Sequence, residues 1–180
     1  MIQNLCNLVD ENNMDTFYKV LIAEASQLPF FNELSDPNDV LTIINNLPET
    51  FQAMVVPFMP EKFSLASSSQ TSNGNVSWRH GISFPLVPQD AALQDLLKQY
   101  NNKEVVALMV RISKSHLFGT QAQPLLFSYS DLNDSTKPGL KGYTISLQGE
   151  TYGEAIYFEG KEAEFPVINR GLAFQLAGSL

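Results

Sequence analysis

The sequence predicts a mainly β (α+β) fold, an antiparallel β-sandwich or open barrel with one flanking amphipathic helix. Three observations carry this expectation. Several segments alternate apolar and polar residues with a period of two, as a strand with one buried face requires. One stretch, 90–100, has helical spacing. That helix stands once between strands instead of recurring after each of them, which favours α+β over an alternating α/β sheet.

The helix is the best-defined element. Asp90 can accept from the free N–H groups of a first turn. Leu93, Leu96, Leu97 and Tyr100 then recur at i, i+3, i+4 and i+7 on one face, with Asp95, Lys98 and Gln99 opposite. Asn101 and Asn102 suit the stop, because Asn tolerates the left-handed backbone that ends helices. Residues 105–112 follow, and Val105–Val110 shows no alternation. A strand apolar on both faces is a buried one, so this strand is expected to be central.

The remaining elements are read in chain order. Residues 16–25 predict a strand, with Phe17, Lys19, Leu21 and Ala23 on one face and Tyr18, Val20, Ile22 and Glu24 on the other. Residues 30–39 predict a loop in which Asp36 or Asn38 is a possible cap. Residues 40–47 could form a short helix or a strand; β-branched Val40, Thr42, Ile43 and Ile44 favour the strand. Residues 51–58 are β-prone, but Pro57 and Pro60 push them to a sheet edge, since proline lacks a ladder donor. Asn73-Gly74 is a hairpin signal because both residues accept positive φ. It predicts a long hairpin arm around 61–81 whose mobile polar tip is Ser68, Ser69, Gln70, Thr71, Ser72, Asn73 and Gly74. The returning strand alternates, with Val76, Trp78, His80, Ile82 and Phe84 on one face. Residues 113–120 predict a loop with Gly119, and 124–130 a strand. Residues 131–142 predict a polar loop, 143–149 a strand, and 155–158 a last short strand. A single β-rich domain is expected over 1–160. The segment 161–180 carries Phe165, Val167, Ile168, Leu172, Phe174 and Leu176, and is expected to pack back or to dock on a neighbouring subunit.

Composition narrows the function. With 180 residues, 44% of them hydrophobic, the chain suits one domain with a real core. A formal net charge of -8 argues against phosphate-driven nucleic-acid binding, whose affinity is carried by Lys and Arg. Cys6 is the only cysteine, so no internal disulfide and no thiolate cluster for zinc is expected. Residues 1–15 have no basic region of the signal-peptide type, and no apolar run approaches the roughly 20 residues of a membrane helix. The expected site of synthesis is a reducing cytoplasm, where the sequons at Asn75 and Asn133 are chance matches.

Catalytic patterns are weak. His80 and His116 lie far apart with no convergent ligands; His80 is expected to be structural, and His116 to be a loop residue and not a general base. Glu159, Glu162 and Glu164 could supply paired carboxylates for glycoside hydrolysis, but a solvated charge run is the stronger reading. There is no Gly-x-Ser-x-Gly elbow, Walker loop or dinucleotide fingerprint. Gly139-Leu140-Lys141-Gly142 has the form of an RNA-clamping loop but precedes a strand instead of joining two helices. Trp78, Phe84 and Tyr129 could form an aromatic platform for sugar, with core packing the stronger reading. No cofactor, metal site or catalytic residue is predicted.

From Pro57 to Gly160 the chain resembles short tail-associated structural proteins of phages and prophages in Bacteroidetes-type elements. The likeness is an ordered pattern: the hairpin at Asn73-Gly74 returning through Trp78 to Phe84, the helix 90–100, and the apolar strand 105–112. After Gly119 come Gln123-Pro124-Leu125-Leu126-Phe127-Ser128-Tyr129-Ser130, then Lys137-Pro138-Gly139 leading to Gly142-Tyr143-Thr144-Ile145-Ser146-Leu147-Gln148-Gly149, and last 155–160. Residues 2–47 match more loosely, and the segment after Gly160 departs from the pattern. The resemblance implies a tail-tube-like fold, shared with the type VI secretion tube. It implies a non-enzymatic subunit that assembles with itself into a ring or tube and with other tail proteins. Such a subunit binds neither specific nucleic acid nor membrane, and resides in the virion or tail-like particle once assembled. The alternative expectation is a ligand- or carbohydrate-binding β-domain using the aromatic patch.

Overall fold

The computed structural model describes residues 17, 19–31, 35–48, 51, 53–57, 63–72, 74–86, 91–111, 114–133 and 141–159. The expected cap at Asp90, the segment 161–180, Cys6, Glu162 and Glu164 lie outside these residues. Nine strands form one antiparallel sheet that does not close: β1 (Lys19–Glu24), β2 (Ala53–Pro57), β3 (Ser64–Ser72), β4 (Asn75–Leu86), β5 (Glu104–Val110), β6 (Lys114–Phe118), β7 (Leu125–Asn133), β8 (Lys141–Thr151) and β9 (Ile156–Glu159). Among the described residues, two α-helices accompany them, α1 (Pro37–Asn45) and α2 (Ala91–Tyr100). The mainly β (α+β) expectation holds; in place of a two-sheet sandwich there is a single sheet that does not close, and a second helix is added.

β5 is central, as its unbroken apolar run predicts. Val105 to Val110 are all fully buried. One margin of β5 pairs with β1 along its length. The other margin is shared: Glu104 and Val105 pair with β7, whereas Ala107–Val110 pair with β6. The sheet therefore forks at β5. One branch runs β7-β8-β4-β3, the other β6-β9, and β1-β2 completes the opposite side.

The period-two rule then sorts the core into two. Val105, Ala107 and Met109 join Val20 and Ile22 of β1 in a first cluster, together with Met54, Phe84, Phe127 and Ile145. Residues from β2 at one end of the path and β4 near the other meet in that single cluster. The sheet must therefore curl around it, with Leu93, Leu97 and Tyr100 of α2 as the plug. Val106, Leu108 and Val110 face the opposite way, with Leu21, Ala23, Leu117 and Phe158, under Val40 and Ile44 of α1. At about 1.5–3 kcal/mol per buried aliphatic side chain, this wall, buried on both faces, is a major source of stability.

Several expectations need correction. Of the expected strand 40–47, residues 40–45 belong to a helix, α1, and none to a strand. The Asp36 side chain accepts from Asn38 N at 2.8 Å, and Pro37 occupies the first turn, where its missing N–H costs nothing. Val40, Ile44 and Leu47 then share one buried face. Cap and periodicity outweigh the modest β preference of branched residues. Within the expected loop 113–120 lies a strand: β6 (Lys114–Phe118) alternates, burying Ser115 and Leu117 beside Val110 and Leu108, which also places His116 on a strand. The strand of 16–25 is limited to Lys19–Glu24. β7 continues to Asn133 and β8 begins at Lys141, so both strands enter the expected loop 131–142.

The helix stop is as expected. Asn102 has φ +60°, its N–H donates to Phe127 O at 2.9 Å, and Phe127 N donates back to Lys103 O at 3.0 Å. The end of α2 is thus stitched to β7, and an ion pair between Lys103 and Glu24 ties the same turn to β1.

Close backbone approach fixes one glycine. A Cβ on Gly149 would lie 2.8 Å from Pro124 O and 2.8 Å from a Leu125 methyl group, whereas at Gly81 the nearest atom is 4.0 Å away. Gly149→Ala is expected to lower stability by roughly 1–3 kcal/mol through this overlap, with Gly81→Ala within about 0.5 kcal/mol of wild type. Urea unfolding midpoints of the two variants check the contrast.

Candidate functional site

The sequence points to the hairpin arm, and its geometry follows from the turn. Ser72 pairs with Asn75, leaving two residues in the loop, and Gly74 has φ +82°. Asn73 is outside the described residues. A two-residue loop makes Ser72 and Asn75 a hydrogen-bonded pair. Alternation down the ladder then directs the backbone N–H and C=O of Leu65, Ser67, Ser69 and Thr71 away from β4. β3 ends the sheet path, so this row meets no further strand among the described residues.

The polar stretch Ser68–Ser72 is therefore strand and not a loop tip. Most of the arm is also not free. β4 pairs with β8 from Trp78 to Leu86, so only the Gln70–Ser77 end outruns β8, by roughly 10 Å. Cross-strand contacts root it. Arg79 donates to Glu150 through Nε (3.1 Å) and Nη2 (2.6 Å). Both side chains are exposed, so the pair contributes at most about 1 kcal/mol and acts mainly on register.

Beneath the edge lies a hydrogen-bonded histidine. His80 is buried, with Nδ1 2.9 Å from Ser67 Oγ and Nε2 2.8 Å from Thr151 Oγ1. The Thr151 hydroxyl donates to Gly153 O at 2.6 Å. Thr151 must then accept from Nε2–H, and Nδ1 must accept from the Ser67 hydroxyl. This chain fixes one neutral tautomer. Burial lowers the His80 pKa, opposed by the Gly153 backbone contact and the Glu154 charge. His80 thus staples β3 to β8 across β4, in keeping with the structural role expected of it.

His116 differs. It packs among Phe17, Tyr157 and Phe118, with ring centroids 5.3, 4.8 and 6.3 Å away. Its Nδ1 is buried without a hydrogen-bond partner. Burial, and then the charges of Arg111 and Lys114, push its pKa down to about 4.

The other sequence candidates do not converge. Trp78 is half-buried and sits six positions, roughly 20 Å, from Phe84 along β4. Phe84 is buried, and Tyr129 stands edge-on to Tyr143 at 5.7 Å. The three rings form no shared platform. Glu159 is placed only by its backbone, opposite Lys114 in the β6–β9 ladder. Among the described residues, no three His, Cys, Asp or Glu side chains gather as metal ligands, and no helix is long and apolar enough to cross a membrane.

No family model, curated protein or solved structure matches the chain.

Sequence reasoning found His80 by its inward register but not its partners, since Thr151 lies 71 positions away. Arg111 was missed altogether, because a lone Arg closing a strand reads as a solvated charge. The low pKa of His116 predicts a pH effect. Between about pH 6.5 and about pH 4 the unfolded chain binds a proton at His116 that the folded chain does not. The stabilising contribution of neutral His116 is complete above that window and lost as pH falls through it, with His80 acting in the same direction. Urea midpoints measured at about pH 7 and about pH 4.5 are expected to fall less for His116→Gln than for wild type.

Proposed function

We propose that the chain is a non-enzymatic structural subunit of a phage-tail-like or prophage assembly, joining copies of itself into rings or a tube through its sheet edges. The observation that carries this reading is β3, Ser64–Ser72, a nine-residue strand at the end of the sheet path that pairs on one side only among the described residues and holds no charged residue and no proline. Edges that must stay unpaired are normally short, charged, proline-bearing or covered. β3 has none of these in-strand guards, in a chain with 19 acidic residues available to supply them. Its outward N–H and C=O groups suit strand addition, in which the backbone gives affinity and the polar side chains limit non-specific sticking. Contact between β3 and a different margin of the next subunit is heterologous, and such contacts close into rings or propagate as tubes.

Charge is compatible with the same role. A subunit of net charge -8 presents a wall along which DNA slides without adhering. The resemblance over 57–160 supplies the tail context. Other tail proteins are the remaining partners, with no cofactor, specific nucleic acid or membrane in the scheme. The subunit is made in the cytoplasm and ends in the particle.

Ser69→Pro tests the edge directly. The Ser69 N–H points outward, so proline there spares the β3–β4 ladder while removing an assembly donor. Wild type is expected to show concentration-dependent higher-order species by light scattering, with rings or tubes in negative-stain images. Ser69→Pro is expected to stay monomeric with an unchanged circular dichroism spectrum. A wild-type monomer at every concentration, or a Ser69→Pro variant that assembles normally, contradicts the reading.

A further inference from the structure

The β5–β6 turn brings two cationic side chains together, and one of them, Arg111, has no acidic partner among the described residues. Arg111 and Lys114 face each other across it, with Arg111 N donating to Lys114 O at 2.8 Å. Like charges opposed in this way destabilise a hairpin unless something intervenes. Lys114 lies over the Tyr157 ring at 5.6 Å, is engaged in a further interaction, and has Glu159 opposite it in the ladder. Arg111 is placed differently. Its guanidinium carbon lies 4.0 Å from the Phe17 ring centroid, and among the described residues it has no acidic partner. Its Nε is buried with no acceptor. A stacked guanidinium uses its face, so the in-plane N–H donors remain unmade.

His116 completes the arrangement. Phe17 is the ring that both Arg111 and His116 pack against, and His116 lies two positions beyond Lys114 on the same face of β6. Its Nδ1 is the second buried nitrogen here without a partner. Two buried nitrogens packed about one aromatic ring, a guanidinium donor and an imidazole nitrogen that becomes a donor when protonated, have no partner and no carboxylate beside them among the described residues, and an oxyanion is the group that would match both.

We propose that this turn is an oxyanion-binding site, in which the Arg111 guanidinium and the His116 imidazole hold a carboxylate or phosphate group from outside the chain. The planar fork of Arg111 takes two oxygens, and protonated Nδ1 of His116 donates to the same anion. Phe17 and Tyr157 wall the site and fix both donors. The oxyanion is either a free ion or an acidic side chain of a second copy. The site does not depend on β3, so it stands or falls separately from strand-edge assembly.

The chain has two histidines, which makes NMR a direct readout. Inorganic phosphate and, separately, acetate are titrated against chloride at matched ionic strength while both imidazole C–H resonances are followed. His116 is expected to shift with saturation and to titrate about one pH unit or more higher, because a neighbouring anion favours the charged ring. His80, enclosed by Ser67 and Thr151, is expected to stay put. Arg111→Gln is expected to abolish the response, and Arg111→Lys to weaken it by keeping charge without the fork. A shift that appears with rising protein concentration alone assigns the oxyanion to a second copy; one that needs phosphate or acetate assigns it to a free ion. No response of His116 to either anion or to protein concentration, or an equal response in Arg111→Gln, overturns the proposal.

Discussion

The β5 ladder is the constraint on which the rest of the fold depends. A strand whose two faces are both apolar must be covered on both sides, and both of its margins must be paired to satisfy its backbone in a dry interior. β1 meets the first margin along its length, while β7 and β6 divide the second. From that division follow the fork, the two hydrophobic clusters and the need for a helix on each. α2 plugs the curled branch and α1 covers the opposite face of the wall.

A fork makes margins. β2 stops at Pro57, and β9 is only four residues long. β3 is the exception, long and uncharged, and its roots are unusually secure. His80 ties it to β8 through Ser67 and Thr151, while the Arg79–Glu150 pair holds β4 against β8. A well-anchored strand whose outward backbone row meets no strand among the described residues presents a rigid template, and rigidity lowers the entropy cost of pairing with another chain. Stability at the centre and availability at the rim are in this sense one design. The same centre places Arg111 at the exit of β5, where the ladder ends and its side chain falls back on Phe17.

Much of this was legible in the sequence where local physics decides. The 93/96/97/100 stripe, the unbroken Val105–Val110 run, the Asn73-Gly74 turn and the Asn stop at 102 each report on their own few residues. α1 was misread because branched side chains at 40, 42, 43 and 44 were weighed above the cap at Asp36 and the 40/44/47 face. β6 was hidden by Lys114, Ser115 and His116, whose polarity reads as loop until Val110 and Leu108 are seen beside them. The polar β3 residues read as a tip because nothing local shows that β4 will carry them along as a ladder. The partners of His80 and the setting of Arg111 depend on contacts remote in sequence, and no short-range pattern encodes them.

Amide hydrogen exchange read residue by residue, in dilute and concentrated protein, tests most directly that a sealed centre supports an unsealed edge. The account predicts that Val106 and Leu108 exchange only through global unfolding at either concentration. It also predicts that the outward amides of Ser69 and Thr71 exchange freely when dilute and gain protection when concentrated. Outward amides already protected in dilute protein, or still unprotected in concentrated protein, would contradict it, as would β5 amides that open locally.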